Sequence, residues 1–361
     1  MAETYGYFLL ALCLVGMTLN LLTLLVLRQK NNKKMSTNWL LQASAVIDSL
    51  YLFTRLSFII FRFFACRDVE WLPLAVSRPF ATVTGYLESG ASTLHLISVW
   101  TIVVITVDRY IVVCLPGEVR VRTVRLAKVI VGCVTVVSVI CCLPFFVEWE
   151  TGNTVGPLNC DVAKSVASAD QQRGDWSWWL VSHQIVCNCF LRTVIPFVVL
   201  VMLNSRTILR LRRMARHFCT PRCRSREQRK HFCKKVNWRR SLMATVVAAM
   251  VLFICCQLPP LGLRVIHLLR QVLPDVLLND EVLQQSSDVA SGLLVVNATA
   301  NFFVYCVVGV DFRRSLFKLL SASCNAPVCA EKYDVEQANM RKVSDKVAND
   351  GVEEQDEEDE E

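Results

Sequence analysis

Nearly uncharged apolar stretches recur along the chain at about 5–27, 39–61, 89–107, 129–147, 193–205, 241–263 and 289–310, separated by shorter segments that carry most of the charge. Most of them reach the roughly 20 residues a helix needs to cross about 30 Å of hydrocarbon. The fifth is short unless it takes in Arg192 and the apolar residues from Trp178 onward. The pattern predicts an all-α membrane protein, a seven-transmembrane helix bundle over residues 5–310. Its first helix lacks a small-residue cleavage site, so it is expected to be retained behind a short extracellular N-terminus of residues 1–4, with no soluble capture domain before it. After the seventh stretch, Phe312-Arg313-Arg314-Ser315-Leu316-Phe317-Lys318-Leu319-Leu320 has amphipathic spacing. It is expected to lie along the inner membrane surface as a short eighth helix, residues 311–320.

Composition agrees with the pattern. The chain is 53% hydrophobic, above the roughly 45–50% of soluble domains, and its mean hydropathy is +0.40. Lys and Arg fix the orientation. The first, third and fifth loops carry Arg28, Lys30, Lys33 and Lys34, then Arg120, Arg122, Arg125 and Lys128, then a basic stretch at 206–240 with fourteen Lys or Arg and one acid, Glu227. These loops are expected inside, with the N-terminus outside and the C-terminus cytoplasmic. The net charge of +8 is then a topology signal and gives no support for nucleic acid as a partner. Membrane lipid is an expected partner of the basic loop, which is also expected to border the site of a cytoplasmic partner. The tail, 321–361, ends in a self-repelling acidic run, and Cys324 and Cys329 at its start are lipidation candidates.

Polar residues inside the apolar stretches are the candidate chemistry. Gly16 allows close helix approach, and Asn20 needs a partner on another helix. Asp48 at mid-depth of the second helix costs about 2.5–3.5 kcal/mol on insertion if unpaired. It is either a hydrogen-bonded core acid or part of a functional polar cavity. Arg55, two turns further out, either snorkels to the interface or lines an outward-facing cavity. In the third helix, Glu88 lies 21 residues from Arg109, about 31 Å or one membrane thickness. His95 falls between them, as a satisfied core residue or a cavity residue, and Ser98 lies near the level of Asp48. Glu148 and Glu150 end the fourth helix, Arg192 and Pro196 lie in the fifth, and Gln257 and Pro259 in the sixth, where the proline supplies a hinge. The seventh carries Asn297 and Asn301 one turn apart, then Tyr305. Of seventeen cysteines, Cys66 and Cys160 are the two in predicted outer loops, and a disulfide between them is expected.

Other classes fit poorly. No internal repeat supports a transporter or channel. No His-Glu-x-x-His, Gly-x-Ser-x-Gly or P-loop supports an enzyme. Cys219, Cys223 and Cys233 with His217 and His231 match no strong zinc spacing.

The polar landmarks fall in order at the spacings of one family. Asn20, Asp48, Asp108-Arg109-Tyr110 with Pro116, Pro196, Phe253 with Pro259, and Asn301 with Tyr305 and Phe312 together resemble the rhodopsin-like (class A) G-protein-coupled receptors over residues 5–320. Three pieces are most similar to invertebrate FMRFamide-type neuropeptide receptors: Pro144-Phe145-Phe146-Val147-Glu148, Pro196 with Leu203-Asn204, and Asn301-Phe302-Phe303-Val304-Tyr305-Cys306 with Gly309 and Phe312-Arg313.

The resemblance implies a plasma-membrane receptor without enzymatic activity or a required cofactor. An extracellular ligand, a short amidated peptide, and a heterotrimeric G protein are its expected partners. It implies an activation switch of Asp108, Arg109, Tyr110, Gln257, Pro259, Asn301 and Tyr305. It also implies a polar network of Asn20, Asp48, Ser98, Asn297 and Asn301, which holds either a sodium ion at Asp48 and Ser98 or water alone. Arg55, Glu88, His95, Glu148, Arg192 and Gln257 are the ligand-binding candidates, with an Arg of the peptide expected on Glu88, Glu148 or Glu150. Arg55 and Arg192 conflict with this, since two cavity cations favour an anion.

Departures from the family pattern mark what is particular to this chain. Gln257 replaces a tryptophan and Phe302 a proline, Asn204 stands where many members have tyrosine, and Arg239 lies where some have an acid that locks the third-helix Arg. A weakly locked receptor with basal activity is expected, with an orphan or non-signalling member as the alternative. The first disulfide partner usually lies at the top of the third helix, where this chain has Thr84. Ala91 in place of an amine-pairing Asp excludes amine ligands, and the absence of Lys from 289–310 excludes retinal.

Overall fold

The computed structural model describes residues 2–29, 36–67, 74–115, 123–152, 182–183, 185–218, 248, 251–263, 265–266, 280–308 and 310–323. The described residues are helical apart from two helix-flanking positions, Leu115 and Thr123. In chain order they form α1 (Ala2–Gln29), α2 (Ser36–Arg67), α3 (Leu74–Cys114), α4 (Val124–Gly152), a π-helical segment (Ile185–Val194) that runs into α5 (Ile195–Phe218), α6 (Val251–Leu263), α7 (Asp280–Val308) and α8 (Val310–Ser323). Six of these are long and apolar enough to cross a membrane, and α6 is a shorter apolar helix.

Several expected boundaries move. Residues 2–4 are the first turn of α1 rather than a stub before it. The helix of α2 carries through Cys66, which the sequence placed in a loop. Cys160 and the Cys66 side chain lie outside the described residues, as do Cys324 and Cys329. The first part of the basic stretch, to Phe218, belongs to α5, and its remainder lies outside the described residues. Residues 311–323 of α8 belong to a separate unit. Within it, α8 leaves Phe317 and Leu320 exposed, as suits a helix lying on hydrocarbon.

Close packing of α1 rests on two glycines. A Cβ on Gly16 would run into Thr299 Oγ1 and lie 2.8 Å from Leu52 Cδ1, and one on Gly292 would meet the Tyr5 hydroxyl at 2.5 Å. Thr299 is held in place by its own bond to the Val295 carbonyl, 2.9 Å. Tyr5 donates from α1 to the Asp288 carbonyl of α7, and Asn20 Nδ2 donates to the Ala298 carbonyl at 3.2 Å. The amide in the first stretch thus finds its partner on α7. A second cluster, Val99, Val103, Leu200 and Phe253, joins α3, α5 and α6. By contrast α4 is apolar and mostly exposed, with Val129, Val136, Val137 and Ile140 outward, a lipid-facing surface.

The fifth span is completed by a change of register. It reaches membrane length once Ile185–Val194 is added, and this segment is π-helical. In that register the Leu191 carbonyl would bond to the N–H of residue 196, which is proline and has none. Trp100 Nε1 of α3 donates to that carbonyl instead, at 3.1 Å. Arg192 and Thr193 are turned into the bundle and buried, while Val194 and Ile195 face outward.

Two substitutions test this packing. Gly16→Val should destabilise the detergent-solubilised protein by about 1–3 kcal/mol, the usual range for overpacking. Trp100→Phe keeps most of the volume but orphans the Leu191 carbonyl, and should cost about 1–3 kcal/mol. Thermal unfolding followed by fluorescence reads both; unchanged midpoints would show that the helices shift to relieve the contacts.

Candidate functional site

The polar residues sort into three levels along α3. Glu88 and Asp108 are separated by roughly 30 Å of helix at 1.5 Å per residue, so α3 carries the site from one side of the bundle to the other.

At the Glu88 end lies a cavity of ≈ 180 Å³. Its polar walls include Tyr51 and Arg55 of α2, Glu88, Ser92 and His95 of α3, Arg192 of the π segment, and Ser287 and Ser291 of α7; Pro260, Leu263 and Leu294 are among its apolar walls. Four of the six ligand-binding candidates therefore line one space. Gln257 is buried behind them and bonds to His95 through Oε1 and Nε2, at 3.3 and 2.9 Å from the same ring nitrogen, the donor depending on the imidazole tautomer. The side chains of Glu148 and Glu150 lie outside the described residues.

Arg55 does not reach to the interface. It is buried, forms an ion pair with Glu88 and stacks on the Phe58 ring, 5.2 Å from guanidinium carbon to centroid. Glu88, read from the sequence as the carboxylate for a ligand Arg, already has a partner within the protein. Arg192 is the more deeply buried cation, 2% exposed. Its Nη2 donates to the Ser92 carbonyl at 2.9 Å, and its Nε has no hydrogen-bond partner. The π register places it there, because the same apolar run in α-helical register would present a different face.

One to two turns further along α3, Asp48 is buried (1% exposed) and accepts from three side chains. Ser98 Oγ donates at 2.6 Å, Asn301 Nδ2 at 2.8 Å and Ser44 Oγ at 3.4 Å. Asn297 is buried one turn from Asn301. Asn20, by contrast, bonds to backbone and not to Asp48. Three neutral donors partly offset the desolvation of one carboxylate, and the set ties α2, α3 and α7 together. The oxygens of Asp48, Ser98 and Asn301 are hard donors, of the kind a small cation takes.

At the far end Asp108 is buried and accepts from Ser36 Oγ at 2.9 Å and from Thr37 Oγ1. Both hydroxyls open α2, and the sequence reading missed them. The signal present was a pair of hydroxyl residues at a helix start, facing an acid at another helix's end. Arg109 and Tyr110 are half-buried beside Asp108. Tyr305 of α7 lies within electrostatic reach of both Asp48 and Arg109, between the mid-depth network and this end. Pro259 lies within the helix of α6, and the buried Phe302 packs edge-on against Phe303 with centroids 5.7 Å apart.

The Arg55–Glu88 pair is lopsided, since the Arg side chain is 8% exposed and the Glu side chain 41%. Removing the acid strands a buried cation, whereas removing the cation leaves a carboxylate that water can reach. Glu88→Gln should therefore destabilise by about 2 kcal/mol, less than the 3–5 of a fully buried pair. Arg55→Met should cost less than Glu88→Gln in the same thermal assay. The reverse order would place the pair's energetics elsewhere.

A family model described as 7 transmembrane receptor (rhodopsin family) matches residues 19–305, from one residue before Asn20 to Tyr305. The match spans the cavity, the Asp48 network and the Asp108–Arg109–Tyr110 end, on α1 to α7. The chain belongs to the rhodopsin family of seven-transmembrane receptors.

Proposed function

We propose that this receptor is displayed at the cell surface with the cavity facing outward, takes a short FMRFamide-like amidated peptide, and activates a heterotrimeric G protein at the Asp108–Arg109–Tyr110 end. The observation that carries this reading is the arrangement along α3. A cavity with polar walls lies at one end, a buried acid is shared by three helices in the middle, and an acid–base–phenol group lies at the other end. A ligand that prefers one arrangement of Asp48, Ser98 and Asn301 would shift the population toward it, by as much as its affinities for the two states differ. The peptide character of the ligand rests on the likeness of 144–148, of Pro196 with 203–204 and of 301–313 to neuropeptide receptors. A cavity of ≈ 180 Å³ is smaller than the roughly 300–1,000 Å³ of pockets that enclose a whole ligand, which fits an anchoring end of a longer molecule.

Sodium belongs to the same proposal. Asp48, Ser98 and Asn301 would hold the ion, which would supply a positive charge to a buried carboxylate that otherwise has only neutral donors.

A second reading is favoured by Gln257. A family tryptophan position is occupied here by an amide tied to His95, so the receptor could answer to a differently shaped ligand or not signal at all.

Transfected cells exposed to a library of amidated neuropeptides should give a saturable calcium or cyclic-nucleotide response to an Arg-Phe-amide peptide. They should also signal above empty vector without ligand. A surface-expressed receptor silent to the whole library moves the second reading ahead. For sodium, raising its concentration against choline should stabilise the wild type thermally and leave Asp48→Asn unmoved; equal stabilisation of both would remove the ion from the site.

A further inference from the structure

Among the described residues, two of the three charged side chains lining the cavity are arginines, and the third is Glu88. Glu88 is committed to Arg55, which is also covered by Phe58. One positive charge is left over, and it resides on Arg192. This guanidinium is almost wholly buried, yet among the described residues no carboxylate pairs with it. Its hydrogen bonds go to neutral groups, the Ser92 carbonyl at Nη2 and the Cys142 thiol, and its Nε, like that of Arg55, has none. A buried charge without a counterion is strongly disfavoured and persists where function requires it. A guanidinium on the wall of a cavity suits a carboxylate, which a charge-assisted hydrogen bond would hold.

We propose that the ligand group entering this cavity is a carboxylate, and that Arg192 of the π segment is the residue that binds it. The single excess charge matches one carboxylate, whereas a phosphate, with about −1.5 to −2, would exceed it. Pro260, Leu263 and Leu294 on the same walls suit an apolar body beside the acid. This deepens the receptor reading above and constrains its ligand. A C-terminal amide does not supply the charge, so the carboxylate comes from an acidic side chain of an amidated peptide or from a free C-terminus.

The test is direct binding, independent of signalling. Purified full-length receptor in lipid nanodiscs is titrated with three probes, and thermal stabilisation is read. N-acetyl-phenylalanine carries a terminal carboxylate, N-acetyl-aspartyl-phenylalaninamide a side-chain carboxylate, and N-acetyl-phenylalaninamide none. At least one acid should stabilise the wild type, the neutral amide should bind about tenfold or more weakly, and Arg192→Gln should erase the difference. Which acid is favoured tells the two carboxylate sources apart. Arg192→Lys keeps the charge and should retain part of the preference, and the acid–amide comparison on wild type decides the matter should Arg192→Gln not fold. Equal stabilisation by acid and amide, no stabilisation by either acid at millimolar concentration, or an undiminished preference in a folded Arg192→Gln would each overturn the proposal. A receptor that binds the acid here yet never signals would sink the G-protein reading and leave this one standing.

Discussion

Hydrocarbon offers no hydrogen bonds, so polar side chains that their own helix cannot satisfy have to be answered from another helix. Most of the answers come from α3. It gives Glu88 to Arg55, the Ser92 carbonyl to Arg192, His95 to Gln257, Ser98 to Asp48, Trp100 to the Leu191 carbonyl and Asp108 to the hydroxyls of Ser36 and Thr37. The partners lie on α2, α6 and the π segment, in order down its length. Rotating or sliding α3 would disturb several of these bonds together. The cavity, the Asp48 network and the Asp108 end are therefore mechanically one object, which is what a receptor passing a signal across a membrane requires.

The same requirement accounts for the irregular fifth span. Arg192 in an otherwise apolar stretch would face lipid or crowd a neighbour in some helical registers. The π segment widens the helix where proline already removes a donor, and turns the charge inward. The carbonyl left over by Pro196 goes to Trp100, so the distortion is anchored at α3 as well. A local irregularity, a buried cation and a cavity wall are then consequences of one another.

Much of the fold was legible in the sequence, because span length and the alternation of basic loops follow directly from the cost of placing charge in lipid. Depth along the helices set Ser98 near the level of Asp48, and the family resemblance joined Asn301 to them. Depth along a helix is encoded in residue count, but rotation about its axis is set by packing. Periodicity alone therefore could not tell that Arg55 faces Glu88 rather than solvent, or that Asn20 bonds to α7 backbone. The hydroxyls of Ser36 and Thr37 were missed for the same reason. The π register was hidden because an added residue per turn leaves no compositional trace. The faint signs were an Arg in a run that was too short and a proline four residues beyond it.

In the proposed mechanism the Asp108–Arg109–Tyr110 end acts on a G protein. Guanine-nucleotide exchange on a purified heterotrimer, driven by the receptor reconstituted in lipid, measures this most directly. The account predicts exchange faster than with empty lipid, increased further by a cavity ligand and abolished by Arg109→Glu with the fold intact. Exchange at the empty-lipid rate across the panel of G-protein classes, with the receptor folded and ligand bound, would contradict it.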